Sequence, residues 1–153
     1  MDTFGKSITI EKLSENNIMT LYYLFQRNDF QSENFYPHPF TLDYLSYAIK
    51  SKDAYFIMTW NQTAVAYGLL RGWEEGYDIP SLGVTVDKNY RRLGLGKFMC
   101  RFLHAYAEFR GCKAVRVRVY KTNEVAKSLY DELGYKFHVD VDNPHLWEGI
   151  IIL

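Results

Sequence analysis

The period of the hydrophobic pattern changes repeatedly along the chain, and each change marks an element. From Ser7 to Leu13 apolar and polar residues alternate, as on a half-buried strand. Ser14 then opens a stretch in which Ile18, Leu21, Tyr22 and Phe25 fall at helical spacing, which predicts a first helix. In the following SENFYPHPFT, Pro37 and Pro39 flank His38; each proline fixes its own φ and restricts the residue before it, so the segment is a stiff loop. Thr41 can cap a second helix, LDYLSYAIKS. AYFIMTW (54–60) and TAVAYGLLRGW (63–73) predict a hairpin about Asn61 and Gln62, and IPSLGVTV (79–86) a further strand. Over 97–111, Phe98, Met99, Phe102, Leu103 and Tyr106 form one helical face, with Gly111 as the stop. A strand (114–120), a helix ended by Gly134, a strand (135–141) and a last strand (146–153) complete the order β-α-α-β-β-β-α-β-α-β-β. This predicts a mixed α/β fold, with parallel pairing wherever a helix connects two strands.

Composition narrows the reading. A chain of 153 residues is the size of one domain, so residues 1–153 are read as a single unit. Lys and Arg number 18 against 18 Asp and Glu, which removes the basic field that a nucleic-acid partner usually needs; an anionic ligand must be met locally. No apolar run approaches the ~20 residues of a membrane-spanning helix, so a soluble, cytoplasmic protein with no membrane partner is expected, with a homodimer left open. Cys100 and Cys112 lack metal spacing and are read as reduced thiols, with no metal site expected. Aromatic residues reach 17%, an excess that suggests a cleft or interface lined with rings.

The chemistry concentrates in RRLGLGKFM, residues 91–99. A nucleotide P-loop would need Ser or Thr behind Gly96 and Lys97, and a glycine five positions before Gly96; Phe98 and Arg91 stand there. A dinucleotide fingerprint would need a third glycine where Met99 stands. What remains is a general device: Gly94 and Gly96 carry no side chain, so N–H groups at the start of the next helix can close around phosphate oxygens, with Arg91, Arg92 and Lys97 adding charge. A plain strand-to-helix turn would use the same glycines. In NEVAKSLYDELGY, Asn123, Ala126, Tyr130 and Gly134 share roughly one helical face. An amphipathic helix capped by Asn123 accounts for that spacing as well.

Together the two segments resemble the GCN5-related N-acetyltransferase superfamily. The loop pattern is Arg91-Arg92-Leu93-Gly94-Leu95-Gly96, preceded by the strand VTVDKNY and followed, one strand later, by the helix from Asn123 to Tyr135. The resemblance implies a central mixed sheet whose fourth and fifth strands splay apart. It implies that the loop, through N–H groups of about Arg92 to Lys97, binds the pyrophosphate of acetyl-coenzyme A. It further implies that the main chain of Val84 and Val86 holds the pantetheine arm, that the Asn123 amide touches it, and that Tyr130 protonates the departing thiolate. A backbone N–H near Val84 or Thr85 would serve the oxyanion. The implied activity is acetyl transfer to a primary amine by direct attack in a ternary complex.

The general base has no obvious bearer. Many members of the superfamily place a glutamate on the fourth strand, where this chain has Pro80, Ser81, Leu82 and Gly83. Water, or an acid of the preceding loop (Glu74, Glu75 or Asp78), could act instead. On the acceptor side, His38 stands between two prolines with Phe35, Tyr36 and Phe40 around it, a setting for a ring-bearing ligand, and Gly83 leaves room. Arg116 and Arg118 alternate with valines and require partners, most simply Asp or Glu. Cys100 and Cys112 are placed outside the cleft, against a covalent acetyl-cysteine route. A small-molecule amine (an amino sugar, amino acid derivative or polyamine) is the expected acceptor; the alternatives are a protein or peptide amine, or a non-catalytic acetyl-coenzyme A sensor.

Overall fold

The computed structural model describes residues 7–153. Along the chain come β1 (Ile8–Lys12), α1 (Ile18–Arg27), α2 (Leu42–Lys50), β2 (Ala54–Trp60), β3 (Thr63–Arg71), β4 (Ser81–Val86), a 3-10 turn (Lys88–Tyr90), α3 (Leu95–Phe109), β5 (Ala114–Tyr120), α4 (Glu124–Leu133), β6 (Lys136–Val139) and β7 (Leu146–Ile152). Thr41 caps α2 as its type suggests, its hydroxyl accepting from the Tyr44 N–H at 3.1 Å. Ser14 does not cap α1. It heads a tight turn whose Asn17 side chain accepts the Ser14 N–H at 2.8 Å, and the helix begins only after it, at Ile18.

The strands form one mixed sheet in the order β1-β2-β3-β4-β5-β7-β6. Among the described residues, parallel pairing occurs only between β4 and β5, adjacent strands joined by a single helix. Two helices in series separate β1 from β2, which leaves β2 to run back antiparallel. α4 joins β5 to β6, yet β7 lies between them. The exchange follows composition: β7 carries the apolar run LWEGIII and takes the inner place, while the short, mostly exposed KFHV of β6 takes the edge.

Two cores flank the sheet. One, associated with α3 and α4, gathers Met58, Met99, Leu103, Val115, Val117 and Tyr130. The other, under α1 and α2, gathers Leu21, Leu24, Phe25, Leu45, Ile57 and Tyr67. α3 approaches the sheet where β3 has a glycine: a Cβ on Gly68 would lie 2.7 Å from Met99 Cγ and 2.9 Å from Leu103 Cδ1. That contact fixes the height of α3, and with it the loop at its N-terminus. Gly68→Val should therefore lower stability by about 1–3 kcal/mol through overpacking, read as a lower urea midpoint at unchanged slope.

Candidate active site

β4 runs beside β3 along its whole length, from Arg71↔Ser81 to Ala66↔Val86, but meets β5 at a single register pair, Ser81↔Arg116. The Arg116 N–H donates to the Pro80 carbonyl at 2.9 Å, and the Asp87 N–H donates back to β3 at Val65, 2.8 Å. Main-chain polar groups alternate sides along a strand, so those of Pro80, Leu82, Val84 and Val86 face β5 while those of Gly83, Thr85 and Asp87 face β3. Beyond the Ser81 pair the strands diverge, and the main chain of Val84 and Val86 borders the opening. Alternation thus separates the two oxyanion candidates: the Val84 N–H faces the opening, and the Thr85 N–H faces β3.

The glycine loop stands at the mouth of this opening. Gly94 has φ 81° and caps α3 without any side chain, and a Cβ there would meet nothing within 4 Å. Arg92 also has positive φ, 64°. The first helical bond is Phe98 N–H to Gly94 C=O, 3.0 Å, so the N–H groups of Leu95, Gly96 and Lys97 have no partner among the described residues. They sit at the positive end of the α3 dipole. A Cβ on Gly96 would make ordinary contacts, 3.6 Å to Val86 Cγ2 and 3.9 Å to Leu129 Cδ2. Leu93 borders an apolar hollow of about 230 Å³ with Ile8, Trp60, Val65, Tyr90 and Leu95.

The loop's three cations are unequal. Arg91 is held in a two-pronged pair by Glu33, at 2.6 and 2.9 Å, and its Nε donates to the Val86 carbonyl at 3.2 Å. Lys97 pairs with Glu132 of α4 at 3.3 Å. Arg92 forms no ion pair with a described residue, so the net local charge comes from it and from the helix end. Behind Arg91, the buried Asp87 accepts from Asn89 N–H at 2.8 Å, Asn28 Nδ2 at 3.0 Å and Arg27 Nε at 3.4 Å. Burial alone would raise the Asp87 carboxyl, but these donors outweigh it and hold it below its ordinary value.

α4 brings the second set of residues. Asn123 Oδ1 accepts from the Ala126 N–H at 3.2 Å, so the side chain caps the helix and offers its Nδ2 as the remaining donor. Tyr130 is buried, its ring 5.2 Å from that of Tyr135. Burial pushes its phenol well above the ordinary value, with Cys100 and Tyr135 adding to the effect. Cys100 shares a core with Tyr130 and is fully buried. Burial also pushes its thiol up, to about 12, so it stays protonated and is a poor nucleophile.

The acceptor-side residues are packed closely against one another, Tyr36 excepted. His38 is buried; its Nδ1 lies 2.8 Å from the Pro39 carbonyl and its Nε2 2.7 Å from the Tyr67 hydroxyl. A carbonyl only accepts, so Nδ1 carries the proton and Nε2 accepts from Tyr67. Burial lowers the imidazole to about 4, the Pro39 bond opposing and the Arg71 charge assisting. The ring stacks on Tyr44 at 4.2 Å and meets Phe25 and Phe40 edge-on, and these pack in turn against Phe30 and Phe35, so these rings fill one another. The room expected beside Gly83 is taken up as well: a Cβ there would lie 3.2 Å from Leu69 Cδ2 and 3.4 Å from Phe35 Cε1. Tyr36 is half exposed, edge-on to Phe40. Of the loop acids, Glu74 accepts the Lys52 N–H at 2.6 Å, while Glu75 and Asp78 are exposed. Arg118 has the expected carboxylate, Asp140 at 3.0 Å, whereas Arg116 donates to the Ser81 hydroxyl at 3.1 Å.

A splayed parallel pair with a glycine-started helix at its mouth is a distinctive arrangement, and the family model for the GNAT acetyltransferases matches residues 18–135. The chain belongs to the Acetyltransferase (GNAT) family. The GNAT fold is matched by the ribosomal-protein-S18-alanine N-acetyltransferase from Escherichia coli, at TM-score 0.71 and 22% identity over 96% of this chain and 93% of that one. It is matched by the PaiA N-acetyltransferase from Thermoplasma acidophilum, solved in complex with coenzyme A, at 0.79 and 16% over 96% and 99%. The spermidine/spermine N-acetyltransferase SpeG from Vibrio cholerae, in mutant form, gives 0.71 and 12% over 95% of each chain. Comparison with curated proteins finds no match. GNAT membership carries acetyl-coenzyme A as donor, and the free N–H groups of Leu95, Gly96 and Lys97 fit its anionic diphosphate. Among the described residues, no helix is long and apolar enough to cross a membrane.

Two outcomes follow from this geometry. Gly94→Val forces a β-branched residue into the left-handed region, at about 1–2 kcal/mol or more, so coenzyme A affinity in titration calorimetry should fall about tenfold or more; Gly96→Ala should change it by less than about threefold. His38 supplies a pH dependence. Its folded pKa lies below its unfolded one, so the unfolded state binds the extra proton: stability is complete above the ordinary histidine value and falls as pH drops toward about 4. Urea unfolding should show about 2 kcal/mol lost between about pH 7.5 and about pH 5, and His38→Gln should flatten that slope.

Proposed function

We propose that this chain transfers the acetyl group of acetyl-coenzyme A to the primary amine of a small molecule, by direct attack in a ternary complex. The observation that carries the reading is the convergence on one opening of free N–H groups at the α3 N-terminus and the β5-facing main chain of Val84 and Val86; Tyr130, buried on α4, is the residue we assign to face it as proton donor. The amine nitrogen bonds to the acetyl carbon as the carbon–sulfur bond breaks. The proton released from the nitrogen passes to water or a carboxylate, the thiolate takes a proton from Tyr130, and the phenolate regains one from solvent.

Each residue does a separate task. N–H groups of Arg92 to Lys97 hold the diphosphate, with Arg92 as the loop cation free to reach it. Main-chain groups of Val84 and Val86 align the extended arm, which the Asn123 amide also touches. The Val84 N–H faces the developing oxyanion, where a preorganised donor acts most strongly. Tyr130 suits a proton donor because its raised pKa keeps the phenol protonated throughout the neutral range. His38 does not suit the base: both nitrogens are bonded within the chain, and its lowered pKa makes it a weak proton acceptor. Water leading to the exposed acids Glu75 and Asp78 serves better.

Tyr130→Phe removes only the hydroxyl. Its kcat for thiol release from acetyl-coenzyme A, with an amine panel, should fall by about 10²-fold or more, while the Kd for acetyl-coenzyme A changes little. An unchanged kcat would remove Tyr130 from the reaction, and tight cofactor binding without thiol release by the unaltered protein would favour a sensor over an enzyme.

A further inference from the structure

On the face of the sheet beneath the α1–α2 loop, one row of the ladder reads Arg71, Ser81, Arg116 across β3, β4 and β5. Cα partners share a face, so the three side chains stand together at the vertex where the strands begin to part. The arginines are two strand spacings apart, about 10 Å. Arg71 Nη1 donates to the Pro37 carbonyl of the overlying loop, and Arg116 Nε donates to Ser81 Oγ at 3.1 Å. Neither forms an ion pair with any described residue, although Arg27, Arg91 and Arg118 all do. The remaining terminal N–H groups are not sealed away: the buried side-chain polar atom without a partner in this region is Arg71 Nε alone.

Nearby acids make no ion pair with them and are engaged elsewhere. Asp53 Oδ1 accepts the Gly72 and Glu74 N–H groups at 3.0 and 3.1 Å, and Glu74 accepts the Lys52 N–H. Beside Arg116 on β7 stands Ile150, and Glu148, the next carboxylate on that strand, pairs with His138 at 3.2 Å. The Arg71 charge is felt inward, lowering His38 and opposing the rise of Tyr55 and Tyr67. Tyr77, half exposed, lies with its ring centre 6.0 Å from the Arg116 guanidinium. Two partly desolvated guanidiniums without a carboxylate in ion-pair contact among the described residues are costly to keep, and planar forks of this kind suit a two-oxygen anion.

Resting on the acetyltransferase reading above, we infer that the acceptor amine carries an anionic group, a carboxylate, that Arg71 and Arg116 grip at the vertex between β4 and β5. The grip fixes which end of the acceptor lies at the closed end of the opening, so its amine points along β4 toward the thioester. A free amino acid derivative and an acidic side chain of a peptide present the same chemistry.

Binding is tested without turnover. With coenzyme A present in excess, so that the glycine loop is filled, succinate should raise the melting temperature of the unaltered protein, and inorganic phosphate should do so less. Arg116→Gln should abolish the shift while keeping its own melting temperature within a few degrees; Arg71→Gln should weaken it too. Turnover then distinguishes the sources. L-glutamate, its neutral diamide and a short peptide with an acidic residue beside its N-terminal amine are compared, and the preferred acidic amine should exceed the diamide in kcat/KM by about ten- to a hundred-fold. Arg116→Gln should erase that ratio through KM. A succinate shift without turnover of any amine upholds the anion site and sinks the enzymatic reading. Equal turnover of glutamate and diamide, with no succinate shift, overturns the inference and leaves the acetyltransferase standing.

Discussion

The site depends on one failure of pairing. β4 is committed to β3 by six register pairs and β5 to β7 by seven, but β4 and β5 share one. A sheet twists from strand to strand, and strands anchored on opposite neighbours diverge once their common contact ends. The divergence leaves backbone N–H and C=O groups that a closed sheet would have paired, and such groups favour any ligand that brings its own amides. The α3 N-terminus then supplies a second set of free donors at the same mouth, because Gly68 lets the helix sit low on β3.

What the loop offers an anion is backbone more than side-chain charge. Of its three cations, two are already matched to glutamates, Arg91 to Glu33 and Lys97 to Glu132. Their work is structural: Arg91 ties the end of β4 to the segment after α1, and Lys97 ties α3 to α4. The direction of the N–H groups is thereby set before any ligand arrives, which is the preorganisation that makes such donors effective. Asp87, buried beneath the same turn, accepts three donors and contributes to the same rigidity.

Much of this could be read from the chain and some could not. Element order, the glycine loop and the Asn123–Tyr135 helix announce themselves because they rest on local periodicity and on residues, such as Gly94, whose backbone state few others tolerate. The exchange of β6 and β7 was hidden because it depends on which strand buries more, a comparison across the whole sheet. The acceptor side misled for a related reason. Aromatic density predicts rings in proximity without saying whether they enclose space or fill it, and here Phe25, Phe35, Phe40, Tyr44 and His38 fill it.

The histidine and the arginines on the acceptor side illustrate one electrostatic rule with opposite outcomes. His38 can shed its charge, so burial among rings leaves it neutral and bonded at both nitrogens. Arg71 and Arg116 cannot, since a guanidinium stays protonated at any working pH. A half-buried charge that cannot be neutralised must find a partner in the chain, in solvent or in a ligand. Arg118 finds Asp140. Among the described residues, Arg71 and Arg116 find a carbonyl, a hydroxyl and the ring of Tyr77, all neutral, at the very point where the two strands part. Position and unmet charge together make this row, rather than the aromatic loop above it, the part of the acceptor side with chemistry still to satisfy.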